Sequence, residues 1–328
     1  MDDAKNLGSV EKVCLTVLVD NKADLIVKSS ERVKYFTDEP LLAEHGFSVL
    51  IQPDNSEDKI LWDAGVSKVA LIENMRRMKL ALKSISKIAL SHGHLDHYAS
   101  MTDLLNKMNL LPEEKEWSES VTEEEVRFWI EAGRVPIVSH PAAFRERWLV
   151  KDDGRMEGPF LPPPELAWKA AGANIILSEK PYQLAPGCWT TGYIPRTSFE
   201  ESGRPEKLLF RKGSDFIPDD LEEDQAIVIN VNGKGLIVLS GCAHSGIVNT
   251  VNYAQEFTGI DSIYAIIGGF HLARAGDEEI DRTIEYIRSI RPQFVIPSHC
   301  TGLRAVSRFA HEMPEEFVEG IVGATYLL

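Results

Sequence analysis

Residues 91–98 read Ser-His-Gly-His-Leu-Asp-His-Tyr, so three imidazoles and one carboxylate fall within six positions. These are metal donors. The apolar run 85–90 before them has the composition of a strand, which puts the motif where a strand gives way to a loop. In extended backbone, residues two apart point the same way, so His92 and His94 can grip one ion together. Asp96 and His97 lie where the chain turns into its next element and can face a second ion. Imidazoles with one carboxylate suit zinc, with manganese or iron as alternatives, better than calcium or magnesium, which take oxygen shells. A divalent metal with an open position turns water into a nucleophile near neutral pH, so the expected chemistry is hydrolysis.

A cation held only by this motif lacks ligands, and the rest of the chain must supply them. His140, His244, His271 and His299 each follow a β-type apolar run. Strand-end residues of that kind converge at one sheet edge in layered α/β folds. His45 and His311 follow no such run and read as structural or surface residues. Cys242 follows a strand and a glycine; its thiolate can ligate zinc, and a buried inert thiol is the plain alternative. Arg196 is a candidate for bidentate binding of an anionic substrate group, and Arg304 a second; an ordinary surface arginine is the alternative for both.

His-x-His-x-Asp-His after a short strand resembles the signature of the metallo-β-lactamase superfamily, and Leu61-Trp62-Asp63-Ala64-Gly65 resembles its upstream Asp-x-Gly element. Gly192-Tyr193-Ile194-Pro195-Arg196, Ser240-Gly241-Cys242-Ala243-His244, Gly268-Gly269-Phe270-His271-Leu272 and Ser298-His299-Cys300-Thr301-Gly302 resemble one branch of it. That branch holds hydrolase-like proteins related to a dihydropterin ribofuranosyl-aminobenzene phosphate synthase. The resemblance runs over about 13–325. It implies an α/β fold, a four-layer αββα sandwich, with one or two divalent ions at the sandwich edge.

Carried onto this chain, the resemblance makes His92, His94, Asp96, His97 and His299 ligands. Cys242 stands where many members have a bridging Asp. Asp63 becomes a group that hydrogen-bonds a ligand histidine, fixing its tautomer; a cap for the following helix is the other reading. Members usually place a His before the hairpin leading to the bridging position. Here that interval holds Glu222, Glu223, Asp224 and Gln225, so Asp224, His244 and His140 are all candidates for the first ion's third ligand. Asp96 would orient the nucleophile, and His271 or His244 would assist the leaving group. The function implied is metal-dependent hydrolysis of a small ester or phosphoester. The branch also implies an alternative, a transferase condensing a pterin diphosphate with a ribosyl-aminobenzene phosphate. A non-catalytic metal-dependent ligand-binding protein is a third reading.

The elements that must position these groups follow from periodicity. Residues 13–19, 47–52 and 59–62 read as strands, 66–82 as a helix, and 99–108 as a helix with Met101, Leu104, Leu105 and Met108 inward. The acidic stretch at about 110–134 reads as an insertion with a helix over 122–132; Trp117, Phe128 and Trp129 would let it cover the site mouth as a lid. Residues 135–139 predict a strand, 144–149 a helix and 152–164 a loop. Strands are expected at 174–177, 182–184 and 188–193, a polar excursion at 194–213, and a hairpin of 226–231 and 235–239 about Asn232-Gly233. A single domain over 10–328 accommodates them.

With 328 residues and 44% hydrophobic content, the chain can bury a large core. A net charge of −15 disfavours nucleic acid as a partner. The expected substrate is a small molecule, anionic or pterin-like; homo-oligomerisation is left open. No apolar run reaches the roughly 20 residues of a membrane span, and the first residues lack a leader's basic and apolar regions. Cys14, Cys188, Cys242 and Cys300 are widely spaced, which fits a reducing compartment and a cytoplasmic location.

Overall fold

The computed structural model describes residues 7–110 and 117–328. Two sheets form the body. In the eight-stranded one, Val13–Val19, Ser48–Pro53, Ile60–Trp62, Lys87–Ala89, Val135–Ser139 and Ala173–Leu177 lie side by side in chain order, with Ala324–Leu327 and Val33–Tyr35 added beyond the first. The six-stranded one runs Tyr182–Ala185, Cys188–Thr190, Ala226–Val231, Gly235–Ser240, Ile263–Gly269 and Phe294–Ser298.

Successive side chains of a strand point to opposite faces, and here both faces are covered. Val49 and Ile51 enter the core between the sheets while Leu50 enters the outer one; Ile60 and Trp62 divide from Leu61 in the same way. In the second sheet Ile237 and Leu239 face the first, while Leu236 and Val238 face outward. Leu71, Met75, Met101, Leu104 and Leu105 cover the outside of the first sheet, and Ile247, Val251, Ile280, Ile284 and Phe309 that of the second. The layers are therefore helix, sheet, sheet, helix. Burial on both faces explains why these strands read as continuous apolar runs.

The helix expected at 66–82 is shorter, Ala70–Arg77. Asp63 does not cap it: Glu44 Oε1 accepts from Val66 N and Ser67 N, and Ser67 Oγ from Ala70 N. In the acidic insertion, Thr122 and Glu125 form a reciprocal capping box that opens the helix Glu123–Ala132. Residues 111–116 lie outside the described residues, as do the side chains of Phe128 and Trp129 on which the lid reading rests.

One expectation is corrected. The helix over 144–149 and the loop over 152–164 are instead largely strands, Arg147–Val150 and Met156–Phe160. They pair with Leu208–Lys212 and Asp215–Pro218, inside and just after the expected polar excursion, in a four-stranded antiparallel sheet. This sheet has no deep core of its own; Met156–Phe160 is exposed at every position. Without one buried face it lacks the alternation by which a strand is read. No helix among the described residues is long and apolar enough to cross a membrane.

Three neighbouring strands of the second sheet, Gly235–Ser240, Ile263–Gly269 and Phe294–Ser298, are parallel. So are Ile60–Trp62, Lys87–Ala89 and Val135–Ser139 in the first. Asp63, His92, Cys242, His271 and His299 all follow the C-terminal ends of such strands, where ligands gather in α/β sheets.

Candidate metal centre

The metal loop is built on Asp63, which is fully buried and held at φ +57°. Its carboxylate accepts from Ser91 N at 2.7 Å, from Ser91 Oγ at 2.7 Å and from His97 Nδ1 at 2.6 Å. Because Ser91 Oγ gives its proton to Asp63, it accepts from His92 Nδ1 at 2.8 Å. Two further imidazoles are oriented alike. His244 Nδ1 donates to Gly203 O at 3.1 Å, and His299 Nδ1 to Asn21 Oδ1 at 3.3 Å. Four histidines thus spend Nδ1 on a protein acceptor and turn Nε2 inward.

Those inward nitrogens converge. His92 Nε2 lies 3.0 Å and His244 Nε2 3.2 Å from His94 Nδ1. His97 Nε2 is 3.2 Å from Cys242 Sγ and 3.5 Å from Asp96 Oδ2, and His299 Nε2 is 3.3 Å from Asp96 Oδ2. The donor atoms of Asp96, His97, Cys242 and His299 all lie within 4.8 Å of one another, and so do those of His92, Cys242 and His244. Cys242 is common to both groups. Of the three candidates for the first ion's third ligand, His244 is the one in a donor group. His140 Nδ1 instead accepts from Ala142 N at 3.2 Å and caps a short turn, and Asp224 Oδ2 accepts from Ser245 N at 2.8 Å, bracing the turn that carries His244.

Divalent cations fit these donors. With Nδ1 protonated, His92 and His244 each aim an Nε2 lone pair at His94 Nδ1, which carries at most one proton and so satisfies only one of them, whereas a cation between the three nitrogens satisfies all. His299 Nε2 is buried without a hydrogen-bond partner, its approach to Asp96 being too poorly aligned to count. Burial pushes His92 and His244 well below the ordinary imidazole value and His94 down to about 4, so all three are neutral donors at pH 7. At His97 burial also opposes charge, but Asp96 and Asp63 outweigh it and push the group up to about 10. Burial opposes charge at Asp96 too, yet His97 and the contact with His299 hold its carboxyl far below the usual carboxylate range. That corner therefore favours one added positive charge, which a metal ion supplies as well as a proton.

Arg196 is not free to clamp a substrate with both ends of its fork, as the sequence suggests. Its Nη1 donates to His244 O and its Nη2 to Asp220 O, so it straps the His244 turn. Arg304 donates to Ala275 O and pairs with Asp277. His271 lies against His244, ring centroids 4.2 Å apart, with Nδ1 buried and unpartnered.

Several residues escape a sequence reading. His45 stacks on His299, centroids 5.1 Å apart at 27°, and its Nε2 lies 3.4 Å from Asp96 Oδ2 while the side chain is 71% exposed. It borders the donor groups, a placement that its reading as a structural or surface residue does not include. Gly46 allows that approach, since a Cβ there would lie 2.9 Å from Asp96 O. Asp20 Oδ1 accepts from His299 N at 3.1 Å, holding a residue with φ +48°. In the acidic interval, Gln225 Nε2 donates to Leu90 O at 2.8 Å, and Glu223, fully buried, accepts from Arg147 Nη2 at 2.6 Å. The one sequence signal for these was the position of Glu223 and Gln225 where a histidine was expected.

Comparison with known proteins bears on this geometry. A sequence model described as the metallo-beta-lactamase superfamily matches residues 42–254. The chain is 28% identical over 317 residues, covering 95% of each, to the 7,8-dihydropterin-6-methyl-4-(beta-D-ribofuranosyl)-aminobenzene-5'-phosphate synthase of Methanocaldococcus jannaschii. It is 29% identical over 314 residues to an uncharacterised protein of the same organism, covering 94% of this chain and 98% of the other. Among solved structures, a metal-dependent hydrolase of the beta-lactamase superfamily superposes with a TM-score of 0.68 at 20% identity, covering 95% of this chain and 98% of that one. The strand-end donors, the four layers and the family match agree: the chain belongs to the metallo-beta-lactamase superfamily.

Proposed function

We propose that the chain is a metal-dependent hydrolase acting on a small ester or phosphoester. One observation carries this reading: two donor groups, one rich in imidazole and one of Asp96, His97, Cys242 and His299, overlap at a single sulfur. Histidine, cysteine and one carboxylate favour zinc, with manganese or iron as alternatives. A divalent ion bound there lowers the pKa of water from about 15.7 toward 7 and stabilises negative charge on a carbonyl or phosphoryl oxygen.

The chain's own residues do the rest. Asp96 has a 20% exposed side chain and remains a carboxylate, so it can orient a water by accepting its proton in a hydrogen bond. His271, beside His244 at the rim of the donor groups, is the proton donor to the leaving group. His92, His97, His244 and His299 stay locked by their Nδ1 partners, so the donor geometry is set before substrate arrives. The four cysteines are free thiols, which favours the reducing cytoplasm.

A second reading is the transferase, condensing a pterin diphosphate with a ribosyl-aminobenzene phosphate. The 28% identity to the Methanocaldococcus jannaschii synthase over 95% of both chains favours it. Zinc-loaded protein assayed against carboxylic esters and phosphodiesters, beside a pyrophosphate-release assay with the pterin and aminobenzene substrates, separates them. Ester turnover that is lost in Asp96→Asn supports hydrolysis. Pyrophosphate release without ester turnover supports the transferase. Bound metal with no turnover in either assay points to the ligand-binding protein and contradicts both.

A further inference from the structure

Three adjacent parallel strands are followed, two residues beyond their ends, by Cys242, His271 and Cys300, and of these Cys300 has no part in the proposed hydrolysis. Both sulfurs and a ring nitrogen of His271 lie within 4.8 Å of one another. The Cys300 thiol donates to Cys242 O at 3.5 Å. Gly269, between them on the middle strand, gives the clearance: a Cβ there would sit 2.6 Å from Cys300 Sγ and 3.2 Å from Cys242 Cα. The second sulfur thus occupies room that any other residue would fill. Cys14 lies in a strand of the other sheet and Cys188 is fully buried in the core between the sheets.

We propose that Cys242 and Cys300 are an oxidisable dithiol, closed to a disulfide by a peroxide. Cys300 is partly exposed and Cys242 is 3% exposed, so the oxidant meets Cys300 first. The Cys300 thiol takes one oxygen from hydrogen peroxide, giving a sulfenic acid and one water. The Cys242 sulfur, a thiolate when it ligates metal, then attacks the Cys300 sulfur; the S–O bond breaks, and the departing hydroxide takes a proton from solvent and leaves as a second water. Two thiols lose two electrons in all, and one peroxide is reduced. Closure takes the sulfurs from within 4.8 Å of one another to the roughly 2 Å of an S–S bond, a movement that side-chain rotation would have to supply.

The consequence rests on the reading of Cys242 as a ligand. Its sulfur is the atom common to both donor groups, so the disulfide withdraws a donor from each. The centre would empty under oxidation and refill on reduction.

The test treats the zinc-loaded full chain with hydrogen peroxide, then measures intact mass, disulfide-linked peptides and zinc released to a chromophoric chelator. The expected result is a loss of two hydrogens per chain, one linked peptide pair containing Cys242 and Cys300, zinc release, and reversal by a dithiol reductant. Cys300→Ser will hold as much zinc as wild type before oxidant and form no cross-link. Cross-linking without zinc release upholds the dithiol and counts against Cys242 as a ligand. Sulfinic acid at either cysteine with no cross-link overturns the dithiol, and a Cys300→Ser protein that has lost zinc before oxidation contradicts the placing of Cys300 outside the donor groups.

Discussion

His97 Nδ1 lies 2.6 Å from Asp63 Oδ2, and both side chains are fully buried. The same carboxylate holds Ser91, which in turn holds His92. One residue far upstream therefore sets the tautomer of an imidazole in each donor group.

Asp63→Asn keeps the shape and loses the charge. Zinc affinity will fall about 10- to 100-fold, as when such outer partners are removed from metal-bound histidines. Chelator competition measures it. Unchanged affinity would mean that Asp63 only shapes the loop.

His97 gives a pH dependence with a definite sign. Burial opposes its charge, but Asp96 and Asp63 raise it from 6.5 to about 10. In metal-free protein the stabilisation from the imidazolium is full below about pH 6.5 and is lost as pH rises through about 10. Thermal denaturation of metal-free protein will show a midpoint that declines over this window. The His97→Gln protein will lack that decline. A midpoint independent of pH would contradict the charge assigned to this corner.

Arg147 is buried between Asp219, at 2.8 Å from Nε, and Glu223, at 2.6 Å from Nη2. A Cβ on Gly93, between His92 and His94, would lie 3.0 Å from its Nη1. Arg147→Met strands two buried carboxylates and will cost about 3–5 kcal/mol in urea unfolding. A cost under about 1 kcal/mol would show that neutral carboxyl groups already pack there.

His45 tests the mouth of the centre. Its side chain is 71% exposed, so His45→Ala will change stability by no more than about 0.5 kcal/mol and leave bound zinc unchanged. Because its Nε2 lies 3.4 Å from Asp96 Oδ2, turnover of whichever substrate proves active will fall by at least about tenfold. Full turnover would remove His45 from the site.

What was legible in the sequence was what is local. The His92 to His97 loop declares itself because its donors lie within one turn of chain, and the two large sheets do so because burial on both faces makes their strands continuous apolar runs. His299 and Cys242 could be named from their strand-end positions. The choice among His244, Asp224 and His140 could not be made, since it depends on which strand ends face the loop in three dimensions. His45 sits in an irregular segment whose ties to the site are all tertiary: Phe47 N to Asp96 O at 3.2 Å, its own Nε2 3.4 Å from Asp96 Oδ2, and its stacking on His299. The four-stranded sheet was missed because its strands bury little, and Trp148 against Phe216 and Arg145 over Phe210 leave no periodic trace.

Bound zinc per chain, measured by elemental mass spectrometry on wild type, His92→Ala and His299→Ala, tests most directly whether the two donor groups hold metal. Wild type will carry up to about two equivalents, and each variant will lose about one, because each removes a donor from a different group. Wild-type zinc content in both variants would mean that the imidazoles converge for another reason, and the proposed hydrolysis would fall with it.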